Sequence, residues 1–185
     1  MRFSTSAVAA SILAFTSAAP ASYWAPSSGY VINPTTISQY SVWTGAVQYN
    51  VEFGKIFKDG HTTDITTLVS FDIPAAAQGK QCTWHLALDS TATVTGTGVF
   101  DIFTSLAPAT QSTTSWPNGN QRDNHVGRLK AVVGGEATFL DGYPTAGKSF
   151  PCPYGHKFAG ELVGTGDTDN IAWDDYLSGV YLSYA

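Results

Sequence analysis

Apolar and polar residues alternate along several short stretches of the chain. The alternation is strict in residues 47–53 and recurs in residues 66–73 and 82–89. A period of two residues indicates a strand that has one face buried and the other in water. Further short strands are predicted at residues 97–103, 125–133, 136–140, 158–163, 171–173 and 180–184.

Turn residues separate these strands at regular intervals, and no stretch has the period of a helix of useful length. Gly134 and Gly135 predict a tight hairpin between the fifth and sixth strands. Residues 105–124 are predicted to form a loop of about twenty residues, long enough to be either functional or mobile. The pattern predicts an all-β fold of about nine strands, an antiparallel β-sandwich or a jelly-roll-like barrel. We expect a single domain over residues 42–185, preceded by an N-terminal arm at residues 20–41.

The first residues of the chain have the features of a secretory signal peptide. Met1 and Arg2 give a positively charged start, an apolar run follows at residues 7–15, and small residues come next. The apolar run is far shorter than the ~20 residues that cross a bilayer, so we expect no membrane span. Residues 1–19 are therefore predicted to be a signal peptide, and the protein is expected to be secreted to the extracellular space or the cell wall.

The composition adds to this picture. Of the 185 residues, 12% are charged, 13% are aromatic and 18 are glycine, a balance that favours β structure over helix. The formal net charge of −5 argues against nucleic acid or anionic lipid as a partner.

Cys82 and Cys152 are the two cysteines of the chain. An even pair in an oxidising compartment predicts a disulfide bond. The bond would close a loop of about 70 residues, for which the chain-entropy model gives a stabilisation of about 4 kcal/mol.

Several short motifs follow one another along the chain: residues 71–74 before Cys82, then 128–135, 150–153 around Cys152, 159–162 and 179–184. Their order resembles that of the But-two C-terminal domain family, a group of mostly secreted fungal β-sandwich proteins. The resemblance covers roughly residues 45–185, and it implies the sandwich fold and the disulfide but no catalytic residues. Gly160 stands where an aromatic residue is commoner in the family. One member is described as binding a ubiquitin-like-protein activating subunit, a cytosolic partner that a signal peptide argues against here.

Paired carboxylates are the catalytic candidates, because the common nucleophile, phosphate-binding and zinc motifs are absent from the sequence. Glu161 and Asp174 lie on different predicted strands and can face each other across a cleft, with Asp175 as an alternative to Asp174. Glycoside hydrolysis needs two such groups about 5 or 6.5–9.5 Å apart. A polysaccharide-active enzyme is therefore one alternative, and acids that simply face solvent are the other.

A loop at residues 164–170 combines glycines with oxygen-bearing side chains. Asp167, Asp169 and Asn170 are the kind of hard oxygen ligands that Ca²⁺ prefers. The loop lacks the distal Glu of an EF-hand, and Gly, Asp and Asn also make ordinary turns. Calcium is therefore the one cofactor that the sequence leaves open, and otherwise none is expected.

Trp116, Asn118 and Asn120 lie in the long polar loop. Exposed aromatic rings beside amide side chains are typical of sugar-binding surfaces. The alternative is that Trp116 folds back over the end of the sandwich as a plug. Our leading hypothesis is a secreted, non-enzymatic, extracellular or cell-wall-associated β-sandwich that binds a glycan or surface component. A purely structural wall or surface protein is the remaining alternative.

Overall fold

The computed structural model describes residues 30–115 and 121–185. These residues form fifteen β-strands and two short 3-10 helices, so the predicted all-β fold is confirmed. The strands outnumber the prediction because several of them have only two or three residues. In chain order the strands are β1 (Tyr30–Ile32), β2 (Thr36–Ser41), β3 (Ala46–Gln48), β4 (Phe53–Lys58), β5 (Ile65–Asp72), β6 (Gln81–Leu88), β7 (Thr93–Gly96), β8 (Val99–Ser105), β9 (Arg122–Lys130), β10 (Gly135–Glu136), β11 (Thr138–Phe139), β12 (Phe150–Pro151), β13 (Lys157–Gly164), β14 (Asp169–Asp174) and β15 (Gly179–Tyr184), with 3-10 helices at Ala75–Ala77 and Ala146–Lys148.

The described strands form two antiparallel sheets. The first sheet has five strands in the order β1-β15-β6-β10, and β12 also pairs with β6. The second sheet has ten strands, with a main path β11-β9-β8-β13-β5-β4-β14-β7; β2 joins it through β5, and β3 pairs with β2. Strand twist accumulates in a sheet of this size and makes it curl around the core.

The core lies between the two sheets. Trp84 on β6 and Phe71 on β5 are both buried, and their rings meet edge to face with centroids 5.3 Å apart. Because these strands belong to different sheets, the contact shows that the sheets face each other as a sandwich. Each buried side chain of this size contributes roughly 1.5–3 kcal/mol of hydrophobic stabilisation. Other fully buried residues of the core are Ile56, Leu86, Phe100, Leu162 and Ile171.

Gly160 on β13 allows the indole of Trp84 to enter the core. A β-carbon at this position would lie 2.7 Å from the Trp84 ring and 2.8 Å from the backbone oxygen of Phe103. Both distances are shorter than van der Waals contact permits. The Trp84 ring therefore occupies space beside the backbone that any side chain at position 160 would need, which explains why glycine stands there.

The prediction of one continuous strand at residues 47–53 is wrong for the residues between Gln48 and Phe53. β3 ends at Gln48 and β4 begins only at Phe53. Between them, Asn50 has a φ of 54°, a left-handed conformation that asparagine tolerates better than most residues. An extended strand cannot continue through this conformation, so the alternating residues belong to two strands and a link.

The hairpin predicted at Gly134 and Gly135 is right only in part. Gly134 adopts a turn conformation with a φ of 72°, and β11 pairs back on β9. Between these strands, β10 crosses to the first sheet and pairs with β6. The single strand predicted at residues 136–140 is therefore divided between the two sheets.

The predicted disulfide is confirmed. Cys82 on β6 and Cys152 just after β12 are bonded, their Cα atoms are 5.0 Å apart, and both residues are buried. β12 pairs with β6 directly before the bond, where Phe150 lies opposite Cys82. The bond therefore fastens a very short edge strand to a central strand of the first sheet.

The predicted signal peptide at residues 1–19 lies outside the described residues. The predicted arm at residues 20–41 is described from Tyr30 onward, and this part forms β1 and β2. β1 pairs with β15 in the first sheet, and β2 pairs with β5 in the second. In the described ranges, the structure has no helix that is long and apolar enough to span a membrane.

Candidate functional site

A cleft with a volume of about 540 Å³ lies where β4 begins and β14 ends. Its lining comes from two segments that are far apart in the sequence. Residues 50–52 belong to the link between β3 and β4, and Phe53 is the first residue of β4. Residues 174–176 are the end of β14 and the turn that follows it.

Strand register brings these two segments together. β4 and β14 pair in antiparallel fashion, with Phe53 opposite Asp174. One residue beyond this pair, the backbone N–H of Asp175 donates a hydrogen bond to the carbonyl of Glu52 at 2.9 Å. The start of one strand and the end of its partner therefore form one continuous rim.

Two aromatic rings are exposed at this rim. Phe53 is 56% exposed and Tyr176 is 67% exposed. Large rings usually gain free energy by burial, and rings left open beside polar groups in a concave site are available to stack on a ligand. Val51, between the two polar residues of the link, packs against the core instead.

Three carboxylates accompany the rings: Glu52, Asp174 and Asp175. The residues that line the cleft include no lysine or arginine, so its local field is negative. Burial, together with the smaller effect of the neighbouring charge of Asp174, raises the pKa of Asp175 to about 6. Asp175 therefore changes between a carboxylic acid and a carboxylate in the mildly acidic range.

Hydrogen bonds to Asp174 fix the turn that carries Tyr176. Oδ1 of Asp174 accepts a bond from the Tyr176 N–H at 2.8 Å. The Asp174 carbonyl accepts bonds from the N–H groups of Leu177 at 3.1 Å and Ser178 at 2.9 Å. The ring is therefore presented by a closed turn, which lowers the entropy that a ligand would have to offset on binding.

A smaller cleft of about 330 Å³ lies at the turn between β2 and β3, at the other end of β3 from the link that contains residues 50–52. It is lined by Tyr40 and residues 42–45, and Trp43 within it is 63% exposed. A third exposed ring, that of Trp43, therefore lies at a concave surface beside the other end of β3.

The long loop predicted to bind sugar is attached beside this smaller cleft, because Ser115 forms a bridge with Ala46 of β3. Trp116, Asn118 and Asn120 lie outside the described residues. Their role in binding stays a prediction.

Glu161, one half of the predicted catalytic pair, is not among the residues that line the larger cleft. It is fully buried in the middle of β13, where it accepts hydrogen bonds from Arg122 and from the Thr66 hydroxyl at 2.7 Å. Asp174 lies on β14, and β5 and β4 stand between the two strands in the sheet. The structure therefore groups Asp174 with the other acids of the cleft and places Glu161 apart from them.

Asp169, from the predicted calcium loop, is buried and its carboxylate already has three donors. Oδ1 accepts hydrogen bonds from the Thr97 hydroxyl at 2.6 Å and from the Gly98 N–H at 2.8 Å. Oδ2 accepts one from the Gly166 N–H at 2.8 Å. The side chain therefore ties the turn between β7 and β8 to the loop between β13 and β14.

The other two predicted calcium ligands are placed differently from Asp169. Asp167 is exposed in the loop. Asn170 follows Asp169 along β14, so the side chains of Asp169 and Asn170 leave opposite faces of the strand. Over residues 30–115 and 121–185, no group of three or more His, Cys, Asp or Glu side chains is arranged to hold a metal ion.

The fold and the larger cleft define a class of protein: an all-β sandwich with one disulfide and an acidic surface cleft that exposes aromatic rings. A family model described as the Ubiquitin 3 binding protein But2 C-terminal domain matches residues 33–176. The chain belongs to this family, as its motifs predict. Comparison with curated proteins gives no match.

Proposed function

We propose that the protein is a secreted, extracellular or cell-wall-associated β-sandwich that binds glycan in the cleft of residues 50–53 and 174–176. The observation that carries this proposal is the pair of exposed rings, Phe53 and Tyr176, beside carboxylate and amide groups. This combination suits a sugar, because ring faces stack on pyranose faces while polar side chains accept hydrogen bonds from hydroxyls.

The charge of the cleft selects among glycans. Glu52, Asp174 and Asp175 can accept hydrogen bonds from hydroxyl or ammonium groups, and no cation lines the cleft. Acidic sugars would meet like charge at short range, which disfavours binding. Neutral and amine-bearing glycans are therefore the classes that fit.

Two observations support an extracellular location. The buried bond between Cys82 and Cys152 is of the kind that persists in oxidising compartments, and the sequence predicts a signal peptide. The family description refers to binding of ubiquitin 3. For this chain we infer an extracellular glycan as the partner, since the disulfide and the predicted signal peptide favour that compartment.

Hydrolysis of polysaccharide at the same cleft is the second candidate function. The raised pKa of Asp175, about 6, suits a general acid, and the neighbouring carboxylates suit a base or nucleophile. Release of reducing sugar by the wild-type protein, lost in Asp175→Asn, would establish this function in place of binding alone.

Co-sedimentation of the secreted protein with insoluble chitin, chitosan, β-glucan and cellulose tests glycan binding. We expect retention on at least one polymer, and we expect Phe53→Ala and Tyr176→Ala each to weaken it at least about tenfold, which corresponds to ~1.4 kcal/mol. Trp116→Ala, measured in parallel, shows whether the predicted loop also contributes.

Tyr154→Ala is the matched control, because Tyr154 is 42% exposed and lines neither cleft. We expect this variant to bind like the wild type. Retention on no polymer, or an equal loss in the control, would contradict the proposal and favour a purely structural protein.

A further inference from the structure

A row of polar side chains crosses the outer face of the first sheet, on strands that line neither cleft. It consists of Ser183 on β15, His85 on β6 and Glu136 on β10. His85 alternates along β6 with Trp84 and Leu86, which are buried in the core. Successive strand residues point to opposite faces, so the His85 imidazole is on the solvent side of the sheet.

The three side chains are hydrogen-bonded in series. Nε2 of His85 lies 2.8 Å from Oγ of Ser183, and Nδ1 of His85 contacts Oε1 of Glu136. Strand register produces this order, because β15 places Tyr181 opposite His85 and Ser183 two residues further along, while β10 pairs with β6 on its other edge.

Tyr181 contacts both His85 and Glu136 and holds them in place. Its ring stacks on the His85 imidazole with centroids 4.5 Å apart and an angle of 7° between the planes. Its hydroxyl donates a hydrogen bond to Oε2 of Glu136 at 3.3 Å. Burial and the Glu136 charge raise the pKa of Tyr181, so the phenol keeps its proton and remains a donor.

These contacts favour one tautomer of the neutral imidazole. An ionised carboxylate only accepts hydrogen bonds, so the proton of neutral His85 is on Nδ1, facing Glu136. Nε2 is then left to accept the hydroxyl proton of Ser183. A serine that donates to an imidazole, which is in turn oriented by a carboxylate, is the arrangement that activates serine as a nucleophile.

We propose that Ser183 is a nucleophile toward carboxylic esters, with His85 as its general base and Glu136 as a positioning residue. Oγ of Ser183 forms a bond to the ester carbonyl carbon while Nε2 of His85 takes the hydroxyl proton. The bond to the leaving oxygen then breaks, and His85 returns the proton to that oxygen. Water, deprotonated by the same imidazole, releases the acid and restores Ser183.

The surroundings of Ser183 limit the class of ester that can react there. β15 is hydrogen-bonded to β1 on one edge and to β6 on the other, so the backbone N–H groups beside Ser183 are engaged in strand pairing. Lack of an oxyanion donor costs about 10²–10³ in rate. The site therefore takes esters with good leaving groups, such as phenolic esters, and their access is from solvent, to which the His85 side chain is 19% exposed.

Two measurements on the full-length secreted protein test this assignment. A fluorophosphonate probe reacts by forming an Oγ–P bond and releasing fluoride, and we expect one adduct, located on Ser183 by peptide mass spectrometry. We expect p-nitrophenyl acetate to be hydrolysed by the wild type and by the surface control Ser90→Ala, and not by Ser183→Ala. His85→Ala should slow both reactions about 10²-fold or more.

Glu136 has its own test. Glu136→Gln should slow labelling at least about tenfold without a loss of melting temperature that would indicate unfolding, and Glu136→Asp should recover part of the rate. A folded wild-type protein with no adduct on Ser183, or His85→Ala labelled as fast as the wild type, overturns the proposal. The adduct on Ser183 is mapped on the wild type, so this first outcome does not depend on whether the variants fold.

Discussion

Arg122 and Glu161 form a two-point ion pair that passes across β8. Nε of Arg122 is 2.9 Å from Oε2 of Glu161, and Nη2 is 2.8 Å from Oε1. The Glu161 side chain is fully buried, whereas that of Arg122 is 35% exposed and lies over the Phe103 ring at 4.8 Å. A guanidinium at the surface therefore compensates the charge of a carboxylate in the interior.

Removal of the Arg122 guanidinium should strongly lower the stability of the fold. We expect Arg122→Ala to lower the free energy of unfolding by about 3 kcal/mol, because a buried carboxylate would lose its cation. Urea denaturation measures the change. Lys157→Ala is the control: Lys157 pairs with Asp72 at 3.0 Å, but both side chains are mostly exposed, and such pairs contribute about 0–1 kcal/mol. Equal effects of the two variants would contradict the importance of the buried pair.

Asp169→Asn should also destabilise the fold, by about 1–3 kcal/mol. An amide cannot accept hydrogen bonds at both of its terminal atoms, so at least one donor among Thr97, Gly98 and Gly166 would lose its partner. The exposed Asp167→Asn should change stability little. Because the Asp169 oxygens are already bonded, we expect millimolar calcium to leave the melting temperature unchanged. A calcium-dependent rise that is abolished in Asp167→Asn would instead support the predicted calcium site.

Asp175 should make stability depend on pH. Burial raises its pKa to about 6 in the folded protein, against ~3.9 in an unfolded chain. The folded state therefore binds this proton more tightly, so the contribution of Asp175 to stability is greatest below about pH 4 and is lost as the pH rises through about 6.

Asp175→Asn has no carboxylate to ionise. Its stability relative to the wild type should rise by roughly 1 kcal/mol between about pH 4 and pH 7, after allowance for solvent screening. Thermal melts at the two pH values measure the difference, and Asp167→Asn controls for the loss of one negative charge. If the stabilities of wild type and Asp175→Asn differ by the same amount at both pH values, Asp175 is solvated and the prediction is wrong.

The disulfide should carry a large share of the stability. Replacement of Cys82 and Cys152 together by serine opens a loop that spans 70 positions and should lower the free energy of unfolding by about 4 kcal/mol. Denaturation of wild type with and without a thiol reductant checks the same quantity without mutation. A double variant as stable as the oxidised wild type would contradict this estimate.

Alternation of apolar residues located strands that run without interruption. The strands predicted at residues 66–73 and 82–89 differ from β5 and β6 by one residue. Alternation failed near Asn50, since a left-handed backbone conformation leaves no mark in a pattern of hydrophobicity. It also failed at residues 136–140, where the chain changes sheets without a change in pattern.

The candidate site was predictable only in fragments. Asp174 and Asp175 were visible as acids at the end of a strand, but Phe53 looked like an ordinary strand residue. The cleft exists because β4 pairs with β14 and places Phe53 opposite Asp174, and such register is set by the whole sheet and not by local sequence. The contact of His85 with Ser183 depends on pairing in the same way.

The connection between β8 and β9 lies within the covalent ring that Cys82 and Cys152 close. Leu106 in this connection is 71% exposed, and exposed loop residues are the preferred sites of proteolytic cleavage. A single cut there would leave both fragments joined by the disulfide and by the pairing of β8 with β9. The protein can therefore be nicked and still migrate as one species on a gel, and the cut would become visible only after reduction.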